Sequence, residues 1–179
     1  MMNFFSKMRG TTQSPPRVGA NEVFWSWIGA VVGMAALGLI HARLVDQTGQ
    51  ALLIGSFGAT AVLVYGAIRS PLAQPRNVFG GHVLSALIGV CAQQALGATP
   101  WLAAAVAVGT AIAVMHLTKT LHPPGGATAL IAVIGGESVH SLGYMYALVP
   151  VGLGALVLLF VALLVNNIPK SRRYPEFWL

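Results

Sequence analysis

The stretch His122-Pro123-Pro124-Gly125-Gly126-Ala127-Thr128-Ala129-Leu130-Ile131 decides the fold. From Gly125 to Gly136 the residues are small or apolar, so the segment reads as a helix. Twelve residues rise only about 18 Å, however, and the hydrocarbon core of a bilayer is about 30 Å thick. Pro123 and Pro124 suit the start of such a helix: the first N–H groups of a helix have no intrahelical partner, and proline has no N–H to leave unpaired. Extended backbone over His122–Pro124 adds about 10 Å, which brings the piece close to a full crossing. It is either a broken crossing or a dip that returns to its own side. The charges elsewhere in the chain choose between the two.

Those charges are few. The chain has 179 residues, 56% hydrophobic and 8% charged, with ten Lys plus Arg against four Asp plus Glu. A soluble domain carries about 25% charged residues. The shell that would keep one soluble core in water is missing, which excludes an ordinary soluble enzyme and a disordered chain alike. The chain is an all-α integral membrane protein. Its basic residues cluster at the termini and in short polar breaks, not in a stripe with aromatics, so no nucleic-acid partner is implied. Cys91 is the single cysteine and reads as a small core residue, unable to form an intrachain disulfide.

Four apolar runs are long enough to cross: Val23–His41, Val78–Leu96, Trp101–Thr118 and Tyr144–Val165. Trp25, Trp27, Trp101 and Tyr144 stand near their ends, as interfacial aromatics do. A fifth run, Ala51–Ile68, is interrupted by Gly55-Ser56-Phe57-Gly58. Lys7, Arg9 and Arg17 place the N-terminal tail in the cytoplasm, and Arg69 with Arg76 places the next basic link there. Lys170, Arg172 and Arg173 put the C-terminus on the same side. The number of crossings is then even, and the His122 segment must cross. The reading is six crossings in a bacterial inner (plasma) membrane, with a flexible cytoplasmic tail over 1–21, the transmembrane domain over 22–168 and a cytoplasmic basic tail over 169–179.

Gly58-Ala59-Thr60-Ala61-Val62-Leu63 matches Gly126-Ala127-Thr128-Ala129-Leu130-Ile131 at a spacing of 68 residues. Each copy follows a break in the second span of a three-span set. Three is odd, so the two sets are inverted repeats, with interrupted or half helices at 55–60 and 122–128. Transporters recurrently place a substrate site where such breaks meet. A helix that starts inside the membrane presents unpaired N–H groups and partial positive charge, which attract an anion. Gly125 and Gly126 open the approach, Thr128 adds a hydroxyl one turn in, and Ser56, Gly58 and Thr60 offer a second such site. The alternative is that Pro and Gly merely kink a packed helix.

Other residues carry two readings each. His122 donates to an anion or relays a proton, or else caps the helix. Lys119 attracts the anion or snorkels to the interface. Arg76 and Asn77 form a cytoplasmic mouth or anchor the topology. His82, Ser85, Gly89 and Gln93 share one helix face, lining a pathway or joining helices. His116 falls on a small-residue row with Ala105 and Gly109 that reads as close packing, as does Gly29 with Gly33. Arg43 with Asp46 and Glu137 with His140 read as solvated pairs in external links, with Glu137 a candidate proton acceptor.

Residues 117–130, Leu117-Thr118-Lys119-Thr120-Leu121 followed by the His-Pro-Pro stretch, resemble the signature of the HPP family of integral membrane proteins. Ser70-Pro71-Leu72-Ala73-Gln74-Pro75-Arg76-Asn77-Val78-Phe79-Gly80-Gly81-His82 resembles its second block, and Gly55–Thr60 a third. The resemblance covers about Trp27 to Val165 and departs at Gly125, where the family pattern has alanine. It implies four membrane helices, fewer than the six crossings read above. It also implies nitrite transport, and nitrite is a small planar anion.

The leading function is therefore a transporter or channel for a small monovalent anion, nitrite foremost, bound at helix N-termini near the bilayer midplane, with no cofactor. The alternative is a membrane electron carrier holding haem between two of His41, His82, His116 and His122. No Ser/His/Asp set and no His-Glu-x-x-His occurs, so an enzyme is not expected. The small size suggests a homo-oligomer in the bilayer.

Overall fold

The computed structural model describes residues 7–10, 12–45 and 54–179. Asp46 and the first residues of the 51–68 run lie outside them. Every regular element described is helical: α1 Ala20–Ile40, α2 Gly55–Gly66, α3 Pro75–Leu96, α4 Pro100–Leu117, α5 Pro123–Ile134, α6 Glu137–His140 and α7 Ala147–Val165. α1, α3, α4 and α7 are long and apolar enough to cross a membrane, while α2 and α5 are shorter apolar helices. The starts of the two short helices agree with the half helices expected at 55–60 and 122–128. Gly55-Ser56-Phe57-Gly58 is therefore the first turn of a helix, not a gap within one.

Prolines set several of these starts. α3, α4 and α5 each carry proline in the first turn, where the missing N–H costs nothing and the fixed φ favours the helix. α7 is interrupted near its beginning, where Val149 has extended backbone (φ −133°, ψ 119°) immediately before Pro150. That is the conformation a residue preceding proline prefers. The expected Tyr144–Val165 span thus becomes a turn, a kink and a shorter straight helix.

Lipid tails are as apolar as leucine, so helices in a bilayer associate through close packing of small residues rather than by hydrophobic burial. Gly29 and Gly33 of α1 receive the Tyr65 ring, and a β-carbon at Gly29 would sit 2.6 Å from Tyr65 Cδ1. α3 and α5 meet at Gly89, where a β-carbon would lie 2.5 Å from the Ala129 carbonyl oxygen. α4 packs through Ala103, Ala107, Ala111 and Met115, all buried. The expected row of Ala105, Gly109 and His116 faces outward instead, because the buried stripe is the neighbouring one at the same four-residue period. Trp27, Trp101, Phe160 and Leu164 are exposed around the bundle, where lipid replaces water as solvent. Cys91 is exposed too, with its Sγ 3.1 Å from the Tyr144 hydroxyl, so it is not a core residue.

One face of the bundle gathers the start of α1, the link at Arg69 and the segment after α7. Arg172 is buried there and pairs with Glu22 at 2.6 Å, while its guanidinium also reaches Asn166 Oδ1 and Ser26 Oγ. Asn166 in turn donates to the Val64 carbonyl at the end of α2. Tyr174 donates to the Ala73 carbonyl at 2.7 Å, and the Glu176 N–H donates to Gln74 Oε1. The basic segment after α7 is thus packed onto the starts of α1 and α3. Arg69 and the Lys170–Arg173 segment, from two of the basic clusters used to orient the chain, share this face with Glu22.

Candidate functional site

The two short helices and α3 converge on a cluster of buried polar side chains. Ser56 and Thr60 come from α2, His82 from α3, Thr128 from α5, and His122 is the residue before α5; each is at most 1% exposed. Thr60 Oγ1 lies 2.7 Å from His82 Nε2 and 3.1 Å from His122 Nε2. Thr128 Oγ1 lies 2.7 Å from the other ring nitrogen of His82, Nδ1. Thr128 also has Ser56 Oγ at 3.0 Å and the Pro124 carbonyl at 3.2 Å. Thr60 correspondingly has the Ser56 carbonyl at 3.1 Å. Each threonine thus bonds back to the residue four positions earlier in its own helix and forward to the same imidazole.

The walls come from α2, α4 and the residue just before α7. The Phe57 ring stands edge-on to His82 at 5.3 Å, and the rings of His82 and His122 meet edge-on at 4.9 Å. Tyr146 donates to the Thr128 carbonyl at 3.2 Å, and Ser85 lies 3.7 Å from Met115 Sδ. Among the described residues no buried side-chain nitrogen or oxygen lacks a partner. A buried hydroxyl or amide without a partner costs about 2–7 kcal/mol. This closed, fully bonded arrangement is how the five polar side chains of the cluster are tolerated inside an apolar bundle.

His122 is placed by the link between α4 and α5. α4 ends at Thr118, and Lys119 takes the left-handed conformation (φ 56°). The Thr120 N–H then bonds the Met115 carbonyl and the Lys119 N–H the His116 carbonyl, the pair of bonds that closes a helix on a left-handed residue. Arg76 holds the Thr118 carbonyl at 2.8 Å and Asn77 the Leu121 carbonyl at 2.9 Å. Gly81 lets the link lie against α3, since a β-carbon there would come within 2.6 Å of His122 Cβ. His122 Nδ1 finally donates to the Leu72 carbonyl at 2.7 Å.

Of the residues singled out in the sequence, Ser56, Thr60, His82, His122 and Thr128 meet in one place. Lys119 is exposed and serves as the closing residue of α4. Arg76 and Asn77 bind link carbonyls and do not reach the cluster. Pro123 and Gly58 are exposed, and Gly126 is half-buried beside Val108. Pro124 and Gly125 are buried, but Gly125 packs on α3 within reach of the Gly81 carbonyl and Ser85 Oγ. The start of α5 offers little bare backbone: two prolines carry no N–H, and the Gly125 N–H bonds the His122 carbonyl. Of the polar face expected on α3, His82, Ser85 and Gly89 are buried and Gln93 is half-buried. His140 bonds the Val133 carbonyl at 2.9 Å, tying α6 to the end of α5.

The cluster does not fit a haem. His82 and His122 are too close to take a porphyrin between them, and all four ring nitrogens already have partners. His116 is exposed on α4, away from both. Leu72 and Tyr146 belong to the site without having been expected. One contributes only its carbonyl, and the other sits in an apolar run like any core tyrosine.

The match to a family model now decides the kinship, because the model for the transmembrane region of HPP proteins covers residues 15–175. The chain belongs to the HPP family. Two transmembrane proteins of Dictyostelium discoideum are similar along its length, one 45% identical over 99% of the chain and 58% of its own, the other 43% identical over 99% and 64%. This HPP chain thus spans less than two thirds of the length of the curated relatives it matches. No solved structure matches it.

Proposed function

We propose that this HPP protein carries a small monovalent anion, nitrite foremost, across the membrane through the Ser56–Thr60–His82–His122–Thr128 cluster. The observation that carries the proposal is the cluster itself: five polar side chains at most 1% exposed, gathered where two short helices begin inside an apolar bundle. Polar residues at membrane depth are costly and mark substrate paths. Irregular backbone there belongs where protein or a wet cavity satisfies it. Three hydroxyls and two imidazoles form a donor set suited to a small planar oxyanion, and each threonine has a backbone carbonyl to bond when it releases a histidine.

In this reading the described conformation is the occluded one, and each short helix belongs to a crossing of its own, with extended His122 ahead of α5. The chain then crosses six times as two inverted three-span sets, with Thr60 and Thr128 as equivalent positions. A surface cleft of about 530 Å³ lies on the face that holds the segment after α7, lined by Arg69, Lys170, Arg172 and Arg173 against one carboxylate, Glu176. Its field would concentrate anions on the side from which Leu72 reaches His122. By the positive-inside bias that face is cytoplasmic.

The test is nitrite flux into proteoliposomes, comparing the wild type with His122→Ala and with empty vesicles. Wild-type flux well above both is expected. Equal flux in empty and protein-containing vesicles would sink the reading.

A further inference from the structure

With both imidazoles neutral the hydrogen bonds of the cluster can be satisfied in only one way, and one added proton lets that row reverse. The Leu72 carbonyl can only accept, so His122 Nδ1 carries a hydrogen. If His122 is neutral, its Nε2 is an acceptor, and its partner Thr60 must donate to it. Thr60 then has no proton for His82, so His82 Nε2–H donates to Thr60, and its Nδ1 accepts from Thr128. Every bond in this state follows from the last.

Adding one proton reverses the row. With a proton taken up at Thr128, that hydroxyl passes its own to His82 Nδ1, and His82 passes its Nε2 proton to Thr60. Thr60 passes its proton to His122 Nε2. Each transfer breaks one N–H or O–H bond and forms the next, and the net change is one positive charge on His122. The new state is also fully bonded. His122 donates from both nitrogens, to Leu72 and to Thr60, and Thr60 donates to His82 Nε2. His82 Nδ1 donates to Thr128, and Thr128 turns to Ser56 Oγ or the Pro124 carbonyl, already at 3.0 and 3.2 Å.

From this we infer that the Thr128–His82–Thr60–His122 row is a one-proton relay that couples anion movement to proton movement, with His82 changing tautomer as His122 gains its proton. The inference rests on the transport reading above. A monovalent anion in this interior lacks a counter-charge: the only buried charged side chain described is Arg172, which pairs with Glu22 at the face. The protonated His122 supplies that charge, so anion and proton cross as a neutral pair. The other groups facing the row are Tyr146, the residue before α7, which donates to the Thr128 carbonyl, the Phe57 ring from α2 and, through Ser85, Met115 from α4. None of them adds a charge of its own.

Two measurements test this on the full chain. In proteoliposomes loaded with a pH dye and held at zero potential, nitrite uptake should carry about one proton per anion and rise several-fold when the interior is alkaline. His82→Gln keeps a donor and an acceptor but cannot exchange them, so it should fold and lose the gradient dependence. Uptake above empty vesicles with no proton movement would overturn the coupling and leave the transport reading standing. No uptake above empty vesicles would end both. Independently, ¹⁵N-histidine spectra should show His82 switching from Nε2–H to Nδ1–H with the same midpoint as His122 protonation. A His82 tautomer that stays fixed through that titration would overturn the relay.

Discussion

Thr60 and Thr128, which hold the same place in two short matching sequences 68 residues apart, grip the two nitrogens of a single imidazole, that of His82, each at 2.7 Å. Replacing either by valine keeps the shape and removes the hydroxyl, which strands one ring nitrogen of His82 at Thr128 and one nitrogen each of His82 and His122 at Thr60. The cost should be about 1–3 kcal/mol for each nitrogen stranded. Thr60→Val should cost more than Thr128→Val in melting in detergent and in nitrite flux, since only Thr60 also serves His122, and their double mutant should cost less than the sum, since both act through His82. Thr→Ser at either site should retain most of both. Valine variants that melt and transport like wild type would show that the threonines are bystanders.

Gly81 and Gly126 both lie near the start of α5 but should respond in opposite ways to alanine. At Gly81 the new methyl would meet His122 Cβ at 2.6 Å and the Thr120 carbonyl at 2.8 Å. The link must move away from α3, which stretches the bonds to Leu72 and Thr60. Flux should fall at least ten-fold. At Gly126 the nearest atom is Val108 Cγ1 at 3.8 Å, so alanine fits and should stabilise the helix by about 0.5–1 kcal/mol. Flux should be kept. Comparable losses at both positions would mean that helix geometry, and not the place of His122, is being read.

Lys119 is the one described non-glycine residue with positive φ. A left-handed backbone costs an ordinary residue about 1–2 kcal/mol, and glycine escapes the penalty. Lys119→Gly should therefore raise the melting temperature by a few degrees and leave nitrite flux unchanged, because the side chain is exposed outside the cluster. A more stable protein that no longer transports would return Lys119 to the anion path.

How far the site could be read in the sequence follows from what each residue contributes. The half helices were legible because Pro123-Pro124 and Gly55–Gly58 interrupt apolar runs in ways only backbone can explain. The threonines were legible as a repeat, and His82 as one polar residue on an apolar helix. What held them together was not. Leu72 takes part through its carbonyl, which every residue has, and Arg76 and Asn77 bind carbonyls of the link rather than facing a pathway. The Ala105–Gly109 row and the buried Ala103–Ala107–Ala111 row share one composition and one period. Composition alone could not tell the outer face of α4 from the inner. Arg172 reads in the sequence only as one of three basic tail residues that orient the chain, because its charge says nothing of its partners.

Arg172 instead holds the two ends of the bundle together. Its guanidinium contacts both carboxylate oxygens of Glu22, the Glu22 carbonyl, Ser26 and Asn166, and its side chain is 1% exposed against 31% for Glu22. An exposed pair is worth about 0–1 kcal/mol, whereas breaking a buried one costs about 3–5 kcal/mol. Glu22→Gln strands a buried charge on a face where one partner still meets solvent, so its cost should fall between these limits. Arg172→Lys should rescue little, since an ammonium cannot reach five acceptors in a planar fork. The neighbouring Tyr174 gives the anchor a pH limit. Burial pushes its phenol above the ordinary value near 10, so the folded state holds its proton more tightly than the unfolded one. That stability is fully present below the unfolded value and is lost as pH rises through the folded one. Melting in detergent should therefore show Glu22→Gln destabilised at every pH, and the wild type losing stability only in strong alkali. A Tyr174→Phe variant should lack the part of that alkaline loss that comes from this phenol. An unchanged alkaline limb in Tyr174→Phe would assign the loss to another group.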